Sequence, residues 1–241
     1  MRKLVFTLAI LLTSVAAFAD ATSWTHSYDL TSGSAADSKG GPSLTLIGGS
    51  LGASGFAFGP GGGASLSGAI GNPTNYSIEV VFTLNSVAGW QEIINYKNFT
   101  TGQGLWNHDG NGNFWSFTGD SASAWFAAGQ DIDLIATRDA SGVAAFYVNN
   151  QLVLTFTDFT LWQQTVLSGP GNIIQLFQDG GAGTLKRVNI FEGALNQAQV
   201  LLVDADGNPG AIALTPEPGS LALLGTGIGC LLWGRRRRVS Q

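Results

Sequence analysis

Between Tyr76 and Leu84 the chain alternates with a strict period of two. Tyr76, Ile78, Val80, Phe82 and Leu84 are separated by Ser77, Glu79, Val81 and Thr83. Successive side chains of a strand point to opposite faces, so this pattern specifies a β-strand with one face against a core. A helix would scatter the same five apolar residues around its circumference. Shorter runs of the same kind follow at 92–97, 104–108, 113–118, 131–138, 143–148, 151–157, 173–178 and 185–192.

The segments between these runs carry turn chemistry. Asp109-Gly110-Asn111-Gly112 tolerates positive φ and predicts a hairpin joining 104–108 to 113–118. Asp139-Ala140-Ser141-Gly142 and Asn149-Asn150 predict two more tight connections. Asn196 is positioned to cap one short helix over 197–202, the single helical element expected in the body. Many short strands at this spacing predict an all-β sandwich or jelly roll. The stretch 32–71 is rich in Gly, Ser and Ala. Leu44 with Leu46, and Phe56 with Phe58, still share faces, so small strands separated by wide turns are expected there.

The two ends follow other rules. Arg2 and Lys3 precede an apolar stretch, Leu4–Leu12, and Ala17-Phe18-Ala19 forms an A-x-A cleavage site. Residues 1–19 therefore read as a signal peptide, with the mature chain starting at Asp20. That apolar stretch is too short to span a bilayer core of ~30 Å at ~1.5 Å per residue. At the far end, Pro216-Glu217-Pro218 precedes an apolar run from Leu221 to Trp233, closed by Arg235, Arg236, Arg237 and Arg238. Thirteen helical residues reach only ~20 Å, and Gly225, Gly227 and Gly229 weaken the helix. Both charged ends point to the cytoplasm by the positive-inside rule, which leaves the body outside.

Residues 20–215 contain five basic and fifteen acidic residues, a net charge of −10. Such a surface repels phosphate backbones and excludes nucleic acid as a natural partner. Only 11% of the chain is charged, against a usual ~25%. The single cysteine, Cys230, lies in the tail, so the body has neither disulfide nor thiol chemistry. Cys230 is a candidate lipidation site, though it reads more simply as a small apolar helix residue.

Two resemblances follow from these residues. Pro216-Glu217-Pro218, the short apolar run and the arginine cluster resemble the PEP-CTERM sorting signal. That resemblance implies recognition by exosortase, a membrane-embedded processing enzyme, and transient anchoring of the tail in the membrane. Two prolines keep the segment extended and accessible. The body is similar to the LamG-like, concanavalin A-like jelly-roll family. The residues that carry this are Leu134–Asp139 with Gly142, then Phe146-Tyr147-Val148-Asn149-Asn150, and Val188–Leu195 followed by Gln199-Val200. Asn150 stands where the family usually has glycine. The implied organisation is a signal peptide at 1–19, a jelly-roll domain at 20–202, a linker at 203–215 and a sorting tail at 216–241.

Glycosidases need paired carboxylates, and the body's three glutamates, Glu79, Glu92 and Glu192, form no Glu-x-Asp-x-Glu cluster. Asp131 and Asp133 share a strand face and are the nearest substitute, expected to be solvated. Gly48-Gly49-Ser50-Leu51-Gly52 matches the nucleophile elbow without the helix that must follow it, and reads as a glycine-rich turn. Asp109, Asn111 and Asn113, and Asp204, Asp206 and Asn208, begin like calcium loops. Both lack the sixth-position glycine, and no cofactor is expected beyond this weak calcium possibility. Asp158 and Asp179 are equally weak candidates. Trp106, His108 and Trp115 flank the 109–112 hairpin and are the candidate ligand-binding residues, suited to stacking on sugar rings.

The expectation is thus an exported cell-surface or matrix protein, not an enzyme, whose jelly roll binds a glycan or another protein. The alternatives are a carbohydrate-active enzyme on the same fold and a purely structural matrix component.

Overall fold

A computed structural model describes residues 24–100, 104–108, 112–116, 119–121, 124–158 and 164–201. The expected signal peptide with Ala17 and Ala19, the expected 203–215 linker, the expected sorting tail at 216–241 and Cys230 lie outside the described residues. Among the described residues there are thirteen strands: β1 (His26–Asp29), β2 (Thr45–Gly52), β3 (Gly55–Leu66), β4 (Tyr76–Leu84), β5 (Gln91–Asn95), β6 (Gly104–His108), β7 (Asn113–Ser116), β8 (Gly119–Asp120), β9 (Asp131–Arg138), β10 (Val143–Val148), β11 (Gln151–Thr157), β12 (Ile174–Leu176) and β13 (Gly183–Phe191). One short helix, α1 (Gln197–Val200), follows, with Asn196 and Gln199 forming a capping box.

The strands pair antiparallel in the order β11-β10-β9-β4-β13-β3-β12-β5-β6-β7-β8, with β1 added to β13 and β2 to β3. β3 turns the corner. Its first half pairs with β13 through Phe56 to Phe58, and its second half pairs with β12 through Ala64 to Leu66. Glycines make the bend possible. A Cβ on Gly63 would lie 2.0 Å from the Leu176 carbonyl oxygen, and Gly48, at the bulge in β2 beside Gly62, has φ 63°. The folded sheet is an all-β jelly-roll sandwich.

Aromatic rings join the two layers. Phe177 follows β12 and packs 4.8 Å from Phe58 and 4.9 Å from Phe82 of β4, between ring centroids. Phe126 bridges Phe82 and Phe114 of β7 at 6.4 and 5.1 Å. The alternating residues Tyr76, Ile78, Val80, Phe82 and Leu84 are all buried in this core. A smaller apolar cluster lies on the other face of β9 and β10, where Trp24, Leu195 and Val200 cover Ile135 and Tyr147.

The sequence expectation for 32–71 needs correction. Instead of small strands with wide turns, β2 and β3 run for eight and twelve residues and meet at a tight connection, Ala53-Ser54. Glycines that suggested turns instead allow bent strands to pass close together. Gly48–Gly52 accordingly lies within strand β2, neither an elbow nor a turn. Asn149 and Asn150 adopt φ 49° and 65°, as their hairpin requires. No helix among the described residues is long and apolar enough to cross a membrane.

Candidate functional site

The β6–β7 hairpin divides its side chains by alternation. Leu105 and Phe114 enter the core, while Trp106, His108, Asn113 and Trp115 point to the opposite face. Trp106 stands directly across from Trp115, and His108 across from Asn113. The same row continues outward on both sides. Glu92 of β5 opposes Trp106, and Asp120 of β8 opposes Trp115. Four adjacent strands thus present Glu92, Trp106, Trp115 and Asp120 in one line.

Trp90 caps this line. Its indole stacks on the His108 ring at 5.1 Å and meets Trp106 and Trp115 edge-to-face at 6.5 and 5.2 Å. Trp90 is nevertheless 51% exposed, whereas Trp106 and Trp115 are half-buried. The preceding loop is held in place by Asn107, whose Nδ2 donates to the Val87 carbonyl at 3.0 Å. Ring centroids this close leave no gap between the indoles, so the cluster is a filled platform and not an open cage. The Trp106 Nε1 and Asn113 Oδ1 atoms are buried without a hydrogen-bond partner among the described residues.

The two ends of the row differ in their electrostatics. Asp120 has a 47% exposed side chain and lies 3.1 Å from His108 Nε2. Glu92 is 2% exposed and sits over Gly104, where a Cβ would come within 2.4 Å of its Oε1. Burial pushes the Glu92 carboxyl up to about 7, the Asn95 amide at 2.8 Å opposes this, and the Asp179 charge raises it further.

A second acidic cluster occupies the other layer, away from the aromatic platform. Glu79 accepts from Arg187 Nε at 3.2 Å and from the Asn189 side-chain amide. Asp133 is hydrogen-bonded to Glu79, and burial followed by the Glu79 charge raises its pKa. The expectation that Asp131 and Asp133 are both solvated is half right. Asp131 has a 63% exposed side chain, pairs with Lys186 Nζ at 2.6 Å and accepts from Thr83. Asp133 faces Glu79 because β4 and β9 pair side by side with Val81 opposite Asp133, two residue pairs along from Glu79 and Ile135 and so on the same face.

The remaining candidates separate clearly. Asp158 pairs through Oδ2 with Arg138 at 3.1 Å and accepts there from the Thr165 amide and hydroxyl, a structural ion pair. Asp179 lends its backbone carbonyl to the Glu92 amide. Asp109, Asn111, Asp204, Asp206 and Asn208 lie outside the described residues. No group of three His, Cys, Asp or Glu suited to a metal exists among the described residues.

The sequence pointed to Trp106, His108 and Trp115 but missed Trp90, Glu92 and Asp120. Trp90 and Glu92 were legible in principle, since they sit two apart at the start of a strand. Asp120 belongs to a two-residue strand too short to show any period.

No protein-family model matches the chain, and no curated protein matches it. Solved structures do. Domain 4 of AbnA, a GH43 extracellular arabinanase from Geobacillus stearothermophilus in complex with arabinotriose, is 22% identical with a TM-score of 0.56, over 75% of this chain and 98% of that domain. Trypanosoma rangeli sialidase in complex with sialic acid is 13% identical with a TM-score of 0.59, over 78% of this chain and 33% of the sialidase. The botulinum neurotoxin serotype D binding domain is 14% identical with a TM-score of 0.53, over 76% of this chain and 51% of that domain. The chain therefore spans a whole domain of the first and about a third and a half of the others. At these identities the likeness is one of fold, and the fold is the jelly-roll sandwich shared by these domains.

Proposed function

We propose that this is an exported surface or matrix protein whose jelly roll binds a glycan on the β5–β8 face. The observation that carries the reading is the line Glu92–Trp106–Trp115–Asp120 capped by the half-exposed Trp90. Indole faces pack on the apolar side of a sugar ring, and the exposed Asp120 carboxylate accepts hydrogen bonds from its hydroxyls. The arabinanase domain that this chain resembles along its full length is itself described in complex with arabinotriose, which supports the same use of the fold. The signal peptide at 1–19 and the tail at 216–241 supply the export route, with an exosortase-type enzyme as the processing partner.

Binding fits this face better than hydrolysis. Glu92 and Asp120 are three strand spacings apart, ~14 Å at ~4.8 Å per step, beyond the ~5 to 9.5 Å that glycosidase carboxyl pairs require. Glu79 and Asp133 fail in the opposite sense, since they hydrogen-bond directly and leave no room for a scissile bond. A glycan-array screen of the purified protein, repeated with Trp90→Ala, tests the reading. Binding to at least one glycan that falls tenfold or more in the variant supports it. A clean array, or binding indifferent to Trp90, sinks it in favour of a structural role.

A further inference from the structure

We infer that the β5–β8 face selects glycans that carry free amines, with Asp120 as the group that meets the ammonium; this rests on the glycan-binding reading above. Three observations lead to it. The first is the placement of acid around the platform. Asp120 ends the row beside Trp115, Glu92 ends it beside Trp106, and Asp179 lies next to Glu92, whose amide bonds to its carbonyl.

The second is the whereabouts of every basic residue of the body. Arg138 pairs with Asp158, Arg187 with Glu79 and Lys186 with Asp131, all on other elements. Lys97, just past β5, donates its Nζ to the Val166 carbonyl at 2.6 Å. Lys39 lies in the segment before β2. None of the five stands on β5–β8. The one cationic candidate there is His108, which stacks under Trp90 and already faces Asp120.

The third is the chemistry of the platform itself. An indole face attracts cations as well as apolar sugar faces, because its quadrupole is negative above the ring. A 2-amino sugar offers both complements at once, a C–H face for Trp90 and an ammonium for the half-exposed Asp120 carboxylate. A uronate or a sulfate ester would bring a second negative charge to a site that already holds carboxylates in a body of −10. An N-acetylated sugar keeps the stacking but loses the charge.

The test compares two probes that differ in nothing else: a β-1,4-glucosamine hexamer and its fully N-acetylated counterpart. Calorimetric titration of the purified protein at pH 6 and low salt should give at least tenfold tighter binding of the free-amine hexamer. Asp120→Asn should bring the two probes close to parity. Trp90→Ala should weaken both. Equal affinities, or preference for the acetylated hexamer, with sensitivity to Trp90→Ala retained, overturn amine selection and leave the glycan platform standing. A free-amine preference untouched by Trp90→Ala and Asp120→Asn reports mere attraction to an acidic body and overturns the assignment to this face. Binding of neither hexamer overturns it too, and the array then decides whether the platform reading survives alone.

Discussion

Trp106 and Trp115 stand directly opposite each other across β6 and β7, on the face turned away from the core. Residues so paired have Cβ atoms ~5 Å apart, which makes the two indoles a continuous surface and not two separate contacts. Trp90 then lies against both of them, so one exposed ring rests on two half-buried ones.

That layering predicts a graded response to truncation. Trp90→Ala removes mostly exposed surface and should cost under ~1 kcal/mol of stability. Trp106→Ala and Trp115→Ala remove supporting rings and should each cost about 2 to 4 kcal/mol. Urea melts of the three variants check the order. A Trp90 variant as unstable as the other two would mean that its ring is structural packing.

The corner in β3 predicts an intolerant glycine. A Cβ on Gly63 would clash with the Leu176 carbonyl at 2.0 Å, a backbone atom that cannot rotate away. Gly63→Ala must push β3 and β12 apart and should cost about 1 to 3 kcal/mol or more. Gly59, with nothing within 4 Å of its Cβ position, should accept alanine with little change. Thermal melts of the pair test whether the bend depends on close strand approach.

Glu92 predicts a stability that falls with rising pH. Burial raises its folded pKa to about 7 from the ordinary glutamate value of 4.5. Between those values the folded chain holds a proton that the unfolded chain has lost, so stability declines across that window by up to about 3 kcal/mol. Asp133, raised in the same direction by burial and Glu79, adds to the decline. Asp37 works oppositely. Bonds from Ser27, His26, Lys39 and Gly41 overcome its burial and hold its carboxyl low, so its contribution disappears as pH falls below ~4. The optimum should lie near pH 5, and Glu92→Gln should flatten the slope from pH 5 to 8. A wild-type melting profile that climbs over that range would contradict this assignment.

The proposed processing at both ends predicts a definite mass. Protein recovered from the producing cell should lack residues 1–19 and the apolar run after Pro216-Glu217-Pro218. Intact-mass measurement decides it. A mature chain that retains Leu221 to Arg238 would identify the tail as a permanent anchor and end the sorting proposal.

The sequence by itself determined the class of fold and most of the strands, because period-two alternation is a local property that every half-buried strand must show. The runs 104–108, 131–138, 143–148 and 151–157 appear with the bounds read from the chain. It also determined that Trp106 and Trp115 flank a hairpin, since the Asp-Gly-Asn-Gly segment names its own turn. What it did not determine is what lies beside what. The 32–71 stretch looked like wide turns because glycine signals freedom locally, whereas here glycine permits two backbones to approach where β3 turns the corner. Asp133 looked solvated because nothing in its own strand reveals that Glu79 arrives from β4. Trp90, Glu92 and Asp120 come from three separate elements, and only strand pairing, set by long-range hydrogen bonding and core packing, lines them up with the two indoles.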